Sequence, residues 1–419
     1  MDAAAATGVG EPVVVGRQVL RWSSRTTSIA GIEAELARVW ASAPLTTAGE
    51  SGEPERHVAA RTSVLNLVVV ARQPEIVEHV SSVIGMLSGR HPSRTLVVSA
   101  ADPDGPSWLE ASVEAHCVVP RPDAPETCAE LITLVAGGES GRHLAAIVAP
   151  LIIHDLPVTL WWPGDPPLTS RGAIELLAMS DRLVVDGSAW SGDGLERLAA
   201  LAEIVGNRDF GSGRLAISDF AMLRQSRWRE AIASSFDRPD LRPYLAGIRG
   251  ITVRYAAHPG AGAGDTNLIK PLYHVAWLAS RLGMAVLEPL RGSGPETSHG
   301  TGVGATLSGT LRAGRRRVGV RLVPVESGMP AGTTLAVEIS ARRRSETLEV
   351  TVTAEAEAVM VRAALDGRSM PARRFMAPRR TEVELLAETI ESIGRDPVAT
   401  AALMAAVELA GRAHRGTSE

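Results

Sequence analysis

Residues 64 to 100 constrain the fold more than any other stretch, because they set two strand-like apolar patterns on either side of one helical pattern. Val64 to Ala71 is a near-continuous apolar run, as expected of a strand covered on both faces. Pro74 then suits a helix N-terminus, and Ile76, Val77, Val80, Ile84 and Leu87 recur at helical spacing before Gly89. Arg94 to Ala100 reads as a second strand, which makes the whole one βαβ unit. Parallel strands joined in this way need helices over their faces, so an α/β sheet is expected.

The alternation continues beyond this unit. Leu156 to Trp162 has the β-branched and aromatic content of a strand, and Pro163-Gly164-Asp165-Pro166-Pro167 ends it with fixed φ values and missing N–H donors. Neighbouring strand residues face opposite sides, so Trp161 and Trp162 serve two surfaces. One is expected in a core and the other against a neighbouring element, a ligand or a partner. Residues 108 to 119 alternate, with Val113, Ala115 and Cys117 on one face against Glu114 and His116, and read as a strand exposed on one side. Glu126 to Ala149 reads as helix broken at Gly137-Gly138. A helix near Ala173 to Met179, a strand Arg182 to Asp186 and a helix Leu195 to Val205 complete a doubly wound α/β domain over residues 1–210.

The second domain, residues 211–419, has a different pattern. After a connection at Gly206 to Gly213, Ser218 or Asp219 can cap a helix whose Phe220, Leu223, Trp228, Ile232 and Phe236 share a stripe. Strand Ile248 to Tyr255, a helix Leu268 to Leu282 and a strand Met284 to Leu287 follow, and then a Gly/Ser-rich segment at 290–304. From Ala305 to Ala364 the period becomes two, as in Leu335, Val337, Ile339 and Leu348, Val350, Val352, which predicts an antiparallel meander. Two C-terminal helices close the domain, the second begun by Asp396-Pro397 as cap and first-turn proline. The fold class is thus α/β followed by α+β, in two domains because 419 residues exceed one ordinary core.

Charge and cysteine content narrow the function classes. Residues 312 to 380 hold fourteen arginines against seven acids, a local charge of +7 in a chain of net charge −4. That fits an acidic partner surface or charged hairpin turns at Arg315 to Arg317 and Arg342 to Arg344. Without interleaved aromatics it does not point to nucleic acid. No apolar run is long enough to span a bilayer, and Met1 to Gly10 lacks the pattern of a secretory signal and reads as a frayed tail, so a cytoplasmic location is expected. Cys117 and Cys128 are too few for a disulfide scaffold and read as small apolar residues. Lys270 is the only lysine in the chain, and the adjacent Pro271 suggests a loop or helix start rather than a catalytic base.

No metal-binding cluster, serine-hydrolase elbow, full dinucleotide fingerprint or phosphate-loop lysine is present in the sequence, so no catalytic residue, metal or cofactor is assigned. Gly260 to Gly264 before a helix is a flexible turn more readily than a phosphate cradle. Asp155, Asp165 and Asp186 could pair across strand ends or lie in solvated loops. Gly89-Arg90-His91-Pro92-Ser93-Arg94 is the most phosphate-like segment, where a helix end turns into a strand and arginine, hydroxyl and imidazole converge. It suits a sugar-phosphate or anion site, or a rigid loop whose polar groups satisfy backbone or partner contacts.

Four stretches together resemble the glucose-6-phosphate dehydrogenase assembly protein family, OpcA. They are His91-Pro-Ser-Arg94, the Asp155 to Pro167 block with its Pro-Val-Thr-Leu-Trp-Trp core, Ser218 to Asp237, and Ala276 to Gly283. The resemblance implies a non-catalytic protein that binds glucose-6-phosphate dehydrogenase and promotes its active oligomer. Carried onto matching positions, it offers His91, Ser93, Arg94, Trp161, Trp162 and Trp228 as partner- or anion-binding candidates. The alternative is an α/β enzyme or binding protein acting on a sugar phosphate or lactone, with the loop from His91 to Arg94 as its site.

Overall fold

The computed structural model describes residues 16–25, 28–40, 46–48, 54–56, 59–61, 63–71, 74–87, 90–102, 104–119, 126–207, 215–260, 264–292, 304–392 and 394–411. The expected tail Met1 to Gly10, most of the Gly206 to Gly213 connection and residues 293 to 303 of the Gly/Ser-rich segment lie outside these. The chain divides into two compact units, Met1–Trp161 and Trp162–Glu419. Helix Leu195–Gly206 packs against the C-terminal helix Pro397–Leu409, which ties it to the second unit.

In the first unit the βαβ reading holds, with strand Leu65–Val70, helix Pro74–Leu87 and strand Ser93–Ala101. Leu65–Val70 lies between Ser93–Ala101 and Val158–Trp162 and is parallel to both. Every residue of Leu65–Val70 is buried, which is why its sequence shows a continuous run instead of alternation. On its far side Ser93–Ala101 pairs in parallel with Glu126–Gly137, and antiparallel strands Trp108–Val119 and Gly16–Arg25 extend the sheet.

Two expectations in this unit need correction. Glu126–Gly137 is a strand, and only the short helices Gly138–Arg142 and Leu144–Val148 follow it. Both its edges are paired, by Ser93–Ala101 and Trp108–Val119, and residues 128 to 132 are buried whichever face they point to, so its apolar content lost the alternation that marks a strand. The two cysteines are not independent apolar residues either. Cys117 stands opposite Cys128 in the antiparallel ladder, and the two form a disulfide. Their partnership depends on a hairpin register that helix-like reading of residues 126 to 149 concealed.

The second unit begins with helix Arg171–Ala178, strand Arg182–Val185 and helix Leu195–Gly206. Strand Ala216–Asp219, which the sequence reading missed, then pairs in parallel with Arg182–Val185. Asp219 does cap a helix, accepting from the Ala221 N–H, but that helix stops at Leu223 and a second one runs over Ser226–Ser234.

The large sheet of this unit departs from an uninterrupted meander. Ile248–Ala257 is inserted between Arg316–Glu326, to which it is parallel, and Thr334–Arg343, to which it is antiparallel. Leu307–Ala313 and Ala285–Gly292 extend one side, and Glu346–Ala354 and Ala358–Leu365 the other. Ile251, Val253, Val320, Leu322, Val337, Ile339, Val350 and Val352 are buried on one face, each contributing about 1.5–3 kcal/mol. Helix Ile269–Arg281 packs on strands of this sheet and also against Pro397–Leu409. Helix Glu382–Glu391 opens with a reciprocal Thr381–Glu384 capping box, and Pro397–Leu409 with Asp396 as its cap and a proline in its first turn.

Candidate functional site

Of the residues singled out in the first unit, Ser93, Arg94 and Trp161 are interior. The His91 N–H donates to the Leu87 carbonyl at 2.8 Å, so the loop folds back on the helix end, with the imidazole half-buried. Ser93 is buried, its hydroxyl 3.1 Å from that of Thr95. Arg94 Nε donates to Glu130 Oε2 at 2.6 Å, and its Nη1 donates to Glu33 Oε1 at 3.0 Å and the Leu151 carbonyl at 2.8 Å. Glu130, itself fully buried, also accepts from Trp40 Nε1 at 2.7 Å. This guanidinium is neutralised and hydrogen-bonded inside the unit, as buried charge must be. The loop therefore differs from an open phosphate cradle.

Trp161 and Trp162 are both buried, at 1% and 3% exposure. All five residues of their strand are buried, and the alternation of faces therefore leads from one covered side to another. The loop before the strand is held by Asn66, a residue the sequence reading passed over. Its Nδ2 donates to the carbonyls of Ile153 and Leu156 at 2.9 and 3.2 Å, and its Oδ1 accepts from the Ile153 N–H at 2.7 Å. Asp155 occupies the turn of that loop at φ +68° and is exposed. Trp228 lies half-buried on helix Ser226–Ser234 with its ring 5.2 Å from that of His274.

A partly buried set of ionisable groups in the second unit lies at the carboxyl ends of the parallel strands Arg182–Val185 and Ala216–Asp219. The register places Val185 opposite Asp219, so Asp186 and Asp219 leave adjacent strand ends together. Gly187 between them is required by close approach, since a Cβ there would stand 2.7 Å from Asp219 Oδ2 and 2.8 Å from Ile269. Asp219 Oδ1 accepts from the N–H groups of Gly187 and Ala221 at 2.9 and 2.8 Å, and Oδ2 from the Tyr273 hydroxyl at 2.8 Å. Burial, reinforced by the charge of Asp186, pushes the Asp219 carboxyl up to about 6 despite these bonds. Burial likewise holds the Tyr273 hydroxyl well above its ordinary range.

Asp186 accepts at Oδ1 from the Ser188 N–H at 3.1 Å and hydroxyl at 2.6 Å, and at Oδ2 from Arg224 Nη1 at 2.6 Å. The same Nη1 is 3.2 Å from the Ser188 hydroxyl, and the guanidinium lies 5.7 Å from the Phe220 ring centroid. Asn267 Nδ2 ties the next helix to this loop through the carbonyls of Gly187 and Trp190, at 2.9 and 3.0 Å, and its Oδ1 accepts from the Ile269 N–H at 3.0 Å. Lys270 follows as the second residue of that helix, its carbonyl accepting from Gln225 Nε2 at 2.8 Å. Burial and the nearby Arg224 hold its amine below the ordinary lysine range. Of the three aspartates considered from sequence, only Asp186 joins this set. Asp165 instead accepts from the Ser191 N–H at 2.9 Å and pairs with Arg197 at 3.0 Å. The available signal for Asp219 was an aspartate closing a short strand, as Asp186 does, but it had been read only as a helix cap.

A parallel-rich sheet in one unit and a second, largely antiparallel sheet faced by helices in the other define the class as a two-unit α/β plus α+β protein. Residues 68–203 match the family model described as the glucose-6-phosphate dehydrogenase subunit N-terminal domain, and residues 215–403 the corresponding C-terminal domain. The chain belongs to the OpcA family. A search of curated protein sequences returns no match. Among solved structures, an oxidoreductase from Sinorhizobium meliloti is 13% identical with a TM-score of 0.41, over 84% of this chain and 91% of that one. The transcriptional regulator Gal80p from Kluyveromyces lactis is 11% identical over the same shares, also with a TM-score of 0.41. At this distance the likenesses carry nothing about function.

Proposed function

We propose that this chain is a non-catalytic assembly factor that binds glucose-6-phosphate dehydrogenase in the cytoplasm and favours its active oligomer, thereby controlling flux into the oxidative pentose phosphate pathway. The observation that carries this reading is the succession of both family domains along residues 68–203 and 215–403. An assembly factor acts by binding the active oligomer more tightly than other forms, and each 1.4 kcal/mol of difference shifts the population about tenfold. Half-buried His91 and Trp228 remain the contact candidates with accessible surface. Exposed Arg312, Arg321, Arg342 and Arg362 of the arginine-rich segment add positive charge suited to an acidic partner. No helix among the described residues is long and apolar enough to cross a membrane.

The reading as an enzyme or binding protein for a sugar phosphate or lactone began from the loop ending at Arg94, whose guanidinium is taken up by Glu130, Glu33 and Leu151. The test of the proposal is size-exclusion chromatography of the protein with the dehydrogenase of its own organism at physiological salt, with activity measured across glucose-6-phosphate concentrations. Co-elution with a larger dehydrogenase oligomer and a changed KM or kcat is expected. Separate elution with unchanged kinetics overturns the proposal.

A further inference from the structure

We propose that the second unit holds a binding site for a small neutral molecule, with an apolar ring body and one hydroxyl or carbonyl oxygen, in the cavity walled in part by Tyr255. The cavity measures about 420 Å³, within the size range of small-molecule sites. Leu195, Leu268, Leu272, Leu290, Leu307 and Leu322 make its apolar wall. They come from the starts of helices Leu195–Gly206 and Ile269–Arg281 and from strands Ala285–Gly292, Leu307–Ala313 and Arg316–Glu326. The site is independent of the dehydrogenase-binding reading.

The three tyrosines of the chain differ in what their hydroxyls meet. Tyr244 donates to Glu346 Oε2 at 2.7 Å, and Tyr273 to Asp219 Oδ2 at 2.8 Å. Tyr255 is only 4% exposed, and its hydroxyl makes no hydrogen bond among the described residues. That oxygen is nevertheless not sealed in packed protein, because the side chain forms part of the cavity wall. Burial pushes the hydroxyl up to about 12, which keeps it a neutral donor at physiological pH. A largely desolvated hydroxyl without a partner is held at a cost, and a ligand oxygen accepting from it would offset that cost.

The rest of the lining sets the ligand class. Leu195, Leu290 and Leu307 are only half-buried, so apolar surface is left for a ring to cover. Asp193 is the one lining side chain charged at neutral pH, and its Oδ1 already accepts from the Leu195 N–H at 2.9 Å. Its negative charge disfavours an anion, and the leucines offer an ionised ligand no pairing. The segments that adjoin the lining residues Gly264, Gly292, Gly304 and Ala410 in sequence are residues 261–263, 293–303 and 412–419. They carry no leucine, isoleucine, methionine or aromatic residue, so a ring to cover the leucines comes from outside these segments.

Protein grown with tyrosine labelled with 13C at the ring Cζ gives three resonances, one for each hydroxyl, and Tyr255→Phe identifies the one that reports this site. The probe is 2-naphthol, with naphthalene-2-carboxylate as its anionic counterpart. A saturable shift of the Tyr255 resonance with 2-naphthol is expected, while those of the partnered Tyr244 and Tyr273 stay in place. By equilibrium dialysis, Tyr255→Phe should raise the half-saturating concentration about two- to tenfold, the loss of one hydrogen bond. A Cβ at Gly292 would meet only Ala305 and Leu307, at 3.9 Å, so Gly292→Phe fits the strand end and intrudes on the cavity. It should raise the half-saturating concentration at least about tenfold. An unmoved Tyr255 resonance, undiminished binding in either folded variant, or equal binding of the carboxylate overturns the proposal. Where a variant does not fold, the wild-type titration decides alone, a saturable shift of a single tyrosine resonance supporting the site and none overturning it. No arm contains the dehydrogenase.

Discussion

Each unit sets an arginine against a buried carboxylate, but the two clusters distribute their hydrogen bonds differently. Around Arg94 the donors Nε and Nη1 are matched by Glu130, Glu33 and the Leu151 carbonyl, Trp40 donates to the other oxygen of Glu130, and of the guanidinium only Nη2 has no partner among the described residues. Around Arg224 the carboxylates are saturated while cationic donors are left over, Lys270 among them. The same residue types thus build a closed structural tie in one place and an open, polarised end in the other. The balance of donors against acceptors separates the two, and charge content does not.

The largest effect should come from opening the closed cluster. Glu130→Ala leaves Arg94 buried without its principal counter-charge and should cost about 3–5 kcal/mol, read as a lower denaturant midpoint. Lys270→Met should do the reverse in the second cluster, leaving stability within about 1 kcal/mol of wild type or raising it, because the charge it removes is held at a cost. A loss as large as that of Glu130→Ala would erase the contrast between the clusters.

An intermediate effect is expected from Asp219. Its folded-state carboxyl is raised from 3.8 to about 6, so the folded form binds the proton more tightly than the unfolded chain. The resulting stability is present below about pH 4 and is lost as pH rises toward 6, by about 3 kcal/mol in total. His274 acts in the opposite sense. Burial, then the charge of Arg229, lowers it from 6.5 to about 3, so stability is lost as pH falls below 6.5. Urea midpoints from pH 4 to 7 should therefore show a flatter profile in wild type than in either single variant. Asp219→Asn should leave a curve that only rises with pH, and His274→Phe one that falls between pH 4 and 6. If both variants follow the wild-type curve, the strand-end cluster is not electrostatically distinct from the one at Arg94.

Legibility in the sequence followed the locality of the cause. The helix Pro74–Leu87 and the caps at Asp219 and Asp396 depend on neighbours a few residues away, and periodicity and capping chemistry located them. Strand Glu126–Gly137 failed because it is an interior strand buried on both faces, a condition written elsewhere in the chain. The Cys117–Cys128 bond was hidden for the same reason. Arg94 was found as a notable residue, but its role could not be read without Glu130 and Glu33, which reach it from other elements.

By itself the sequence determined the parallel βαβ beginning, the period-two strands after residue 305, the helix caps and the family, since each is carried by local spacing or by short motifs. Only the tertiary structure decided that Ile248–Ala257 enters the later sheet between Arg316–Glu326 and Thr334–Arg343. It alone decided that both Trp161 and Trp162 are covered, and that Arg224 pairs with Asp186 beside the buried Asp219. Burial and the pairing of charges are properties of what a residue meets in space, and strand order brings together segments whose separation along the chain carries no record of that meeting.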